Sequence, residues 1–247
     1  METRDYMRAR CAYYEALMLI PTKEAIKAQL DNALDMLRLC RGDNCGVRSS
    51  VPSLMIQLDQ DQEAYDFIKW WETDGNKSDY DWGDMDLPYL NVKGADVFEP
   101  VDWLNRRFGD LGYTTAVVLL KIKLQRDLLA LKDPATLLGR VPQEIVDNIA
   151  RNNVRSPIIA NDKQILSASD HTALIKTLDD QIAALIRMIE KQNPFFWKIL
   201  LTASPPFPPL PYSHGSKEEA QNVLRDSYGA WKDAVGAMDL VRTKLGK

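Results

Sequence analysis

Between residues 24 and 72 the apolar positions fall at helical spacing three times over, and no other feature constrains the fold as much. Ala25, Ile26, Leu30, Ala33, Leu34, Leu37 and Leu39 form one stripe, and the turn-like GDNCG at 42–46 interrupts it. Val51, Leu54, Met55 and Leu58 restart the pattern, and Ala64, Phe67, Ile68 and Trp71 carry it on. The expectation is helix, loop, helix, short turn, helix. Ala33 and Ala64 are small enough to let two helices approach closely, as stacked hairpins of a helical repeat require. Upstream, Tyr6, Ala9, Arg10, Tyr13, Leu17 and Ile20 define the face of a further helix over residues 3–20, which Pro21 and Thr22 stop before an antiparallel return.

The composition excludes several classes of function. With 247 residues, 45% of them hydrophobic and 27% charged, the chain has enough material for one large core. A net charge of -4 and a pI near 5.3 oppose non-specific binding to nucleic acid, and no segment interleaves Lys or Arg with aromatics. No apolar run reaches the length of a membrane span. The charges at Glu2, Arg4, Asp5, Arg8, Arg10 and Glu15 sit where a signal peptide needs an apolar run, so a cytoplasmic, reducing location is expected. Cys11, Cys40 and Cys45 are too few for a structural zinc site. They read as partly buried side chains or, alternatively, as including one redox-active thiol. No metal and no cofactor is expected.

Two stretches offer candidate binding residues. In the first, Asn44, Gly46 and Arg48 belong to a loop whose free backbone N–H groups form an anion-binding nest, or in which Asp43 or Asn44 caps the next helix. The second is the acidic, aromatic connector of residues 73–100, which is long for a compact domain. Trp70, Trp71, Tyr80 and Trp82 lie close in sequence beside Asp81 and Asp84 and are read as lining a groove for a basic or amphipathic peptide; alternatively they roof the end of a helical hairpin. Asp79, Asp81, Asp84 and Asp86 fail the calcium-loop pattern, because Asp84 and Leu90 stand where Gly and Glu are required. They are read as a solvated acidic loop, an edge for a partner, or a weak divalent-ion site.

Residues 33–71, together with PYLNVKGADVFEPVDWL at 88–104 and YSHGSKEEAQNVLRDSYGAW at 212–231, resemble a group of uncharacterised fungal proteins with tetratricopeptide-like helices. Many of these carry a MYND-type zinc finger. That finger needs seven cysteines and a histidine, and this chain has three Cys and two His, so the partner recruitment it implies is not carried over. The group's Leu-Gly-Arg-Asp-Gln turn reads LDQDQ here; Asp59 and Gln60 replace the Gly and Arg, which removes any ligand contact by an arginine at that turn.

Further on, Pro100, Val101, Trp103 and Leu104 predict a short helix ending near Gly109. Residues 114–132 are so evenly apolar, through Val118, Leu119, Ile122, Leu129 and Leu131, that they predict a central helix covered on more than one side. Another short helix is expected over 142–156, and 157–167 is poorly patterned. A long helix then runs to Pro194, capped by Ser167 or Ser169, with His171 in its first turn read as a surface residue. His214 is equally isolated, and neither histidine has a serine or cysteine nearby in a recognisable nucleophile motif. The proline-rich strap at 204–212 packs along the helices or presents a ligand for an SH3 or WW module. Ser216 and Glu219 form a capping box for the last long helix.

The fold class expected is all-α: residues 1–247 form a single helical domain in which residues 1–72 are tetratricopeptide-like antiparallel hairpins, 73–100 the connector, and 101–247 an irregular helical body. The expected function is an intracellular interaction or scaffold module with a protein or peptide partner. The alternative is a small-molecule-binding protein or enzyme with a pocket between the N-terminal hairpins and the connector.

Overall fold

The computed structural model describes residues 2–106, 109–137, 156–205 and 207–246. Among them every regular element is a helix. The chain begins with α1 (Glu2–Met18), α2 (Lys23–Leu39), α3 (Val51–Gln57) and α4 (Asp61–Glu72). A long connection with two single 3₁₀ turns leads to α5 (Leu111–Leu137). After the expected helix at 142–156, which lies outside the described residues apart from Ser156, come the one-turn helices α6 (Pro157–Asn161) and α7 (Lys163–Ser167). Then follow α8 (Thr172–Gln192), α9 (Phe196–Thr202), α10 (Lys217–Asp233) and α11 (Ala237–Lys244). None of the described helices is long and apolar enough to cross a membrane.

Local chemistry explains most boundaries. Thr22 caps α2 by accepting the Ala25 N–H at 3.2 Å, and Ser216 caps α10 by accepting that of Glu219 at 3.1 Å. Pro52 in the first turn of α3 has no N–H to waste there. The α3–α4 turn passes through Asp59 at φ 58°, a left-handed conformation that favours glycine.

Consecutive helices α1 to α4 pack pairwise, and Ala33 and Ala64 are fully buried. Helix α5 is the axis of the body. Its residues Ala116, Val117, Val118, Leu119 and Leu120 are consecutive and at most 1% exposed, so apolar groups point all round the helix. They are covered by α3, α4, α8, α10 and α11. The antiparallel stripe Leu178, Ile182, Leu185, Ile186 and Ile189 of α8 makes the most extensive of these contacts. Buried apolar side chains form a continuous cluster that includes Tyr14 at one end of the chain and Val241 at the other.

Several expectations need correction. The inward face of α1 is carried by Tyr14 and Leu17, with Met7 and Cys11 half in, while Tyr6 and Tyr13 are half exposed. The helix ends at Met18, before Ile20, which is also exposed. Leu129 faces outward from α5. The short helix expected after Pro100 is only the 3₁₀ turn Asp102–Leu104. Ser167 and Ser169 do not cap α8: Asp170 accepts the Thr172 N–H at 2.9 Å. His171 is buried, its Nε2 2.7 Å from the Ile165 carbonyl, because α7 folds back over the start of α8. His214 is not isolated: its Nδ1 lies 3.0 Å from Glu219 Oε1. In the strap, Phe207 is buried against Tyr228 and the backbone of Leu210 pairs twice with the Asn222 side chain, whereas Tyr212 is exposed.

Candidate functional site

The connector carries more negative charge than the whole molecule. Residues 73–100 contain seven Asp or Glu and two Lys, a net charge of -5 against -4 for the full chain. A segment of this kind gains nothing from collapse on its own, since it lacks a helical stripe and its carboxylates repel one another. Its order comes from what α4 and the loop after α2 offer it.

Helix α4 ends in Trp70 and Trp71, which are 0% and 3% exposed and therefore belong to the core. The Trp70 ring makes T-shaped contacts with Tyr89 at 4.9 Å, Trp71 at 5.2 Å and Tyr80 at 5.6 Å between centroids. Trp82 lies nearly parallel to Trp71, 5.4 Å away at 18°. Gly75 lets the chain turn over this cluster, because a Cβ there would come within 2.6 Å of the Trp70 ring. Of the four aromatic residues singled out from sequence, two are thus fully covered, while Tyr80 and Trp82 are half-buried above them.

Two arginines complete the arrangement. Arg48 stacks over Trp71 at 4.5 Å and Arg41 over Tyr89 at 5.0 Å. The Arg41 guanidinium also donates to three connector carbonyls: Met85 at 2.9 Å, Leu87 at 3.1 Å and Asp84 at 3.3 Å. The planar fork of five N–H donors suits this grip on a curved backbone. With the carbonyls turned inward, Asp79, Asp81, Asp84 and Asp86 are exposed together with Met85. Asp81 and Asp84 each fold a local turn, accepting the N–H of Gly83 and of Asp86 at 2.9 Å.

The Asn44, Gly46 and Arg48 loop is built around an anion of its own. Asp43, at φ 55°, accepts the Val47 N–H at 3.0 Å and the Arg48 N–H at 2.9 Å. Asn44 and Gly46 are exposed, and the Arg48 side chain is committed to the Trp71 face. Asp43 caps this loop and not α3, which begins later, after Ser50.

Beneath the cluster, Glu72 is buried beside Arg106 and Asp110. Burial raises its pKa to about 7, the Asp110 charge adds to the rise, and Arg106 and Arg48 oppose it. A second polar place is a cleft of about 290 Å³ between α5's N-terminus, the strap and α10, where Ser49, Asp110, His214 and Asp226 converge. Ser49 donates to Asp110 at 2.5 Å, and burial pushes Asp226 up to about 6. Among the described residues no group of three or more His, Cys, Asp or Glu is arranged to hold a metal ion.

Sequence reasoning missed Arg41, Tyr89 and Gly75. Their roles depend on contacts across more than forty residues, or on one close approach, and leave no periodic trace. The only local signal was a cationic residue in a turn ahead of an acidic segment. Comparison with protein-family models, curated proteins and solved structures finds no match for this chain.

Proposed function

We propose that this protein is a non-enzymatic, intracellular interaction module that meets a basic protein or peptide on the outer face of the connector. One observation carries the reading: Arg41 and the ring cluster hold the backbone of a strongly acidic segment from inside, so that four carboxylates and Met85 are presented together. A fixed acidic face speeds encounter with a cationic partner and selects against acidic ones. Met85, exposed at its centre, adds an adaptable apolar contact. Tyr80 and Trp82 form the platform behind it. The resemblance to fungal tetratricopeptide-like proteins fits the same proposal: α1 to α4 are read as two antiparallel hairpins of such a layer, supported by their consecutive packing and by the left-handed turn at Asp59.

The test is capture of partners by the wild-type chain and by a variant with Asp79, Asp81, Asp84 and Asp86 changed to Asn, at matched melting temperature. A specific partner that is basic, elutes with salt and is lost from the variant is the expected result. Identical capture by both proteins would overturn the proposal.

A second reading, a small-molecule-binding protein or enzyme, draws on the cleft in which Ser49, Asp110, His214 and Asp226 converge. This cleft lies at the start of α5 and not at the connector.

A further inference from the structure

A pocket of about 460 Å³ opens between α3, α5 and the corner where α10 turns into α11, and nothing from the connector lines it. It exists because the facing helices carry small residues there: Ala130, Ala230, Ala234 and Ala237 stand where larger apolar side chains would fill the space. The buried part of the wall is apolar, from Ile56 and Ile122, and Val235 stands exposed at the lip. Such a volume holds a small organic ligand. Lys123 and Arg126 enter the pocket from adjacent turns of α5. The Lys123 side chain is 12% exposed and its ammonium has three N–H groups: one donates to Asp61 at 2.6 Å and one reaches the Ile56 carbonyl at 3.5 Å. Asp59 is 4.0 Å away, close enough for an ion pair, but the third N–H has no hydrogen bond among the described residues. Arg126 lies flat on Gly236: a Cβ there would stand 2.6 Å from Cζ and from Nη1 and 2.8 Å from Nη2, so the guanidinium is met face-on and its N–H edge is left open. Among the described residues no carboxylate pairs with it. Gly236 has no side chain with which to cap α11, whose positive end adds to the field at the same place. The carboxylates of the lining are engaged or outlying: Asp59 pairs with Lys23 at 3.8 Å, Asp127 accepts the Ser156 N–H at 2.7 Å, and Asp233 is exposed at the rim.

We propose that this pocket binds a small organic carboxylate, its head group held between Lys123 and Arg126 and its compact apolar body seated against Ile56, Ile122 and the alanines. The head group supplies the acceptors that the third N–H of Lys123 and the edge of Arg126 lack, and hydrogen bonds between ionised partners are the strong ones. A carboxylate also matches the guanidinium fork with two parallel bonds, while the Gly236 backbone holds the fork from behind. An inorganic anion would leave the apolar wall wet, and an ammonium ligand would meet two cations and the positive end of α11. The pocket shares no residue with the acidic face of the connector, so either site can exist without the other.

The experiment titrates the full chain with hexanoate, octanoate and phenylpropanoate, by calorimetry and by backbone chemical shifts, with octylamine, octanol and inorganic phosphate alongside. Saturable one-to-one binding of at least one carboxylate is expected, with shift changes centred on residues 122–130 and 230–237. Arg126→Gln should weaken it about tenfold or more and leave the melting temperature of the free chain unchanged, because the side chain is exposed. Ala234→Leu narrows the apolar part and should weaken the larger carboxylates most. No saturable binding of any of the three carboxylates, binding of phosphate, octylamine or octanol as tight as theirs, or an Arg126→Gln chain that binds them as the wild type does would overturn the proposal. The Arg126 variant alone decides it if Ala234→Leu fails to fold.

Discussion

Helix α5 and the connector at 73–100 are neighbours in the fold, and a different balance of forces orders each of them. In α5, apolar side chains point in every direction and the surrounding helices remove them from water, so each contact is non-directional and replaceable in kind. The connector also packs apolar groups on the core, among them Trp82, Tyr89, Val97 and Phe98, but its backbone is held in addition by directed bonds: Arg41 to three carbonyls, Asp66 to the N–H of Gly94 at 2.7 Å and of Ala95 at 2.9 Å, and Gln181 to the Phe98 and Glu99 carbonyls at 2.8 and 2.9 Å. Even the buried Lys121 of α5 serves it, donating to the Val97 carbonyl, and burial lowers that lysine to about 8. The difference teaches that a segment can be kept in place without becoming core, which leaves its charged side chains free to face outward.

The comparison breaks most visibly at Leu119, which is 1% exposed in α5. Leu119→Ala should cost about 2–5 kcal/mol in denaturant unfolding, and a loss under about 1 kcal/mol would show that the helix is not the centre of the core.

Glu72, at the junction of the two regions, gives the next effect. Its folded pKa of about 7 lies above the ordinary 4.5, so between these values the folded state keeps a proton that the unfolded state has lost. This contribution to stability is full below the unfolded pKa and disappears as pH rises through about 7. Glu72→Gln should therefore flatten the fall in stability across that window and raise stability at pH 8 by on the order of 2 kcal/mol. Thermal melts from pH 4 to pH 8 check it. A residual fall should remain from Asp226, whose raised pKa of about 6 places its window lower. An unchanged slope in the variant would contradict the burial assigned to Glu72.

Arg41→Ala sharpens the contrast in a different way. Removing the fork should cost about 1–2 kcal/mol globally, because its carbonyl partners can turn to water. The larger response should be local: faster amide hydrogen exchange through residues 83–89, with α5 protection unaltered. Equal acceleration in both regions would mean that the connector is structural core after all.

The smallest effect on stability belongs to Asp81→Asn. The side chain is exposed and its turn-forming oxygen is kept, so the melting curve should shift by less than about 0.5 kcal/mol. Once a cationic partner is in hand, the same change should slow association and reduce its salt dependence.

Helix content was legible in the chain because periodicity is a local property: Ala25 to Leu37, Ala64 to Trp71 and Leu178 to Ile189 announce their buried faces within a few turns. The evenly apolar run in α5 likewise required cover on several sides before any partner helix was known. Caps at Thr22 and Ser216 were also within reach, since donor and acceptor are three residues apart. The fate of Trp70 and Trp71 was not, because an aromatic residue beside an acidic loop suits a groove or a core equally well, and only the arrival of Tyr80, Trp82 and Tyr89 from the connector covers them. His171 was misplaced for the same reason: its partner is a carbonyl that α7 brings back over the start of α8. What the sequence determined alone is which segments become helices and where the acidic charge is concentrated; which side chains meet was decided by the tertiary structure, because hydrogen bonds and ring stacks depend on distances in space that chain spacing does not encode.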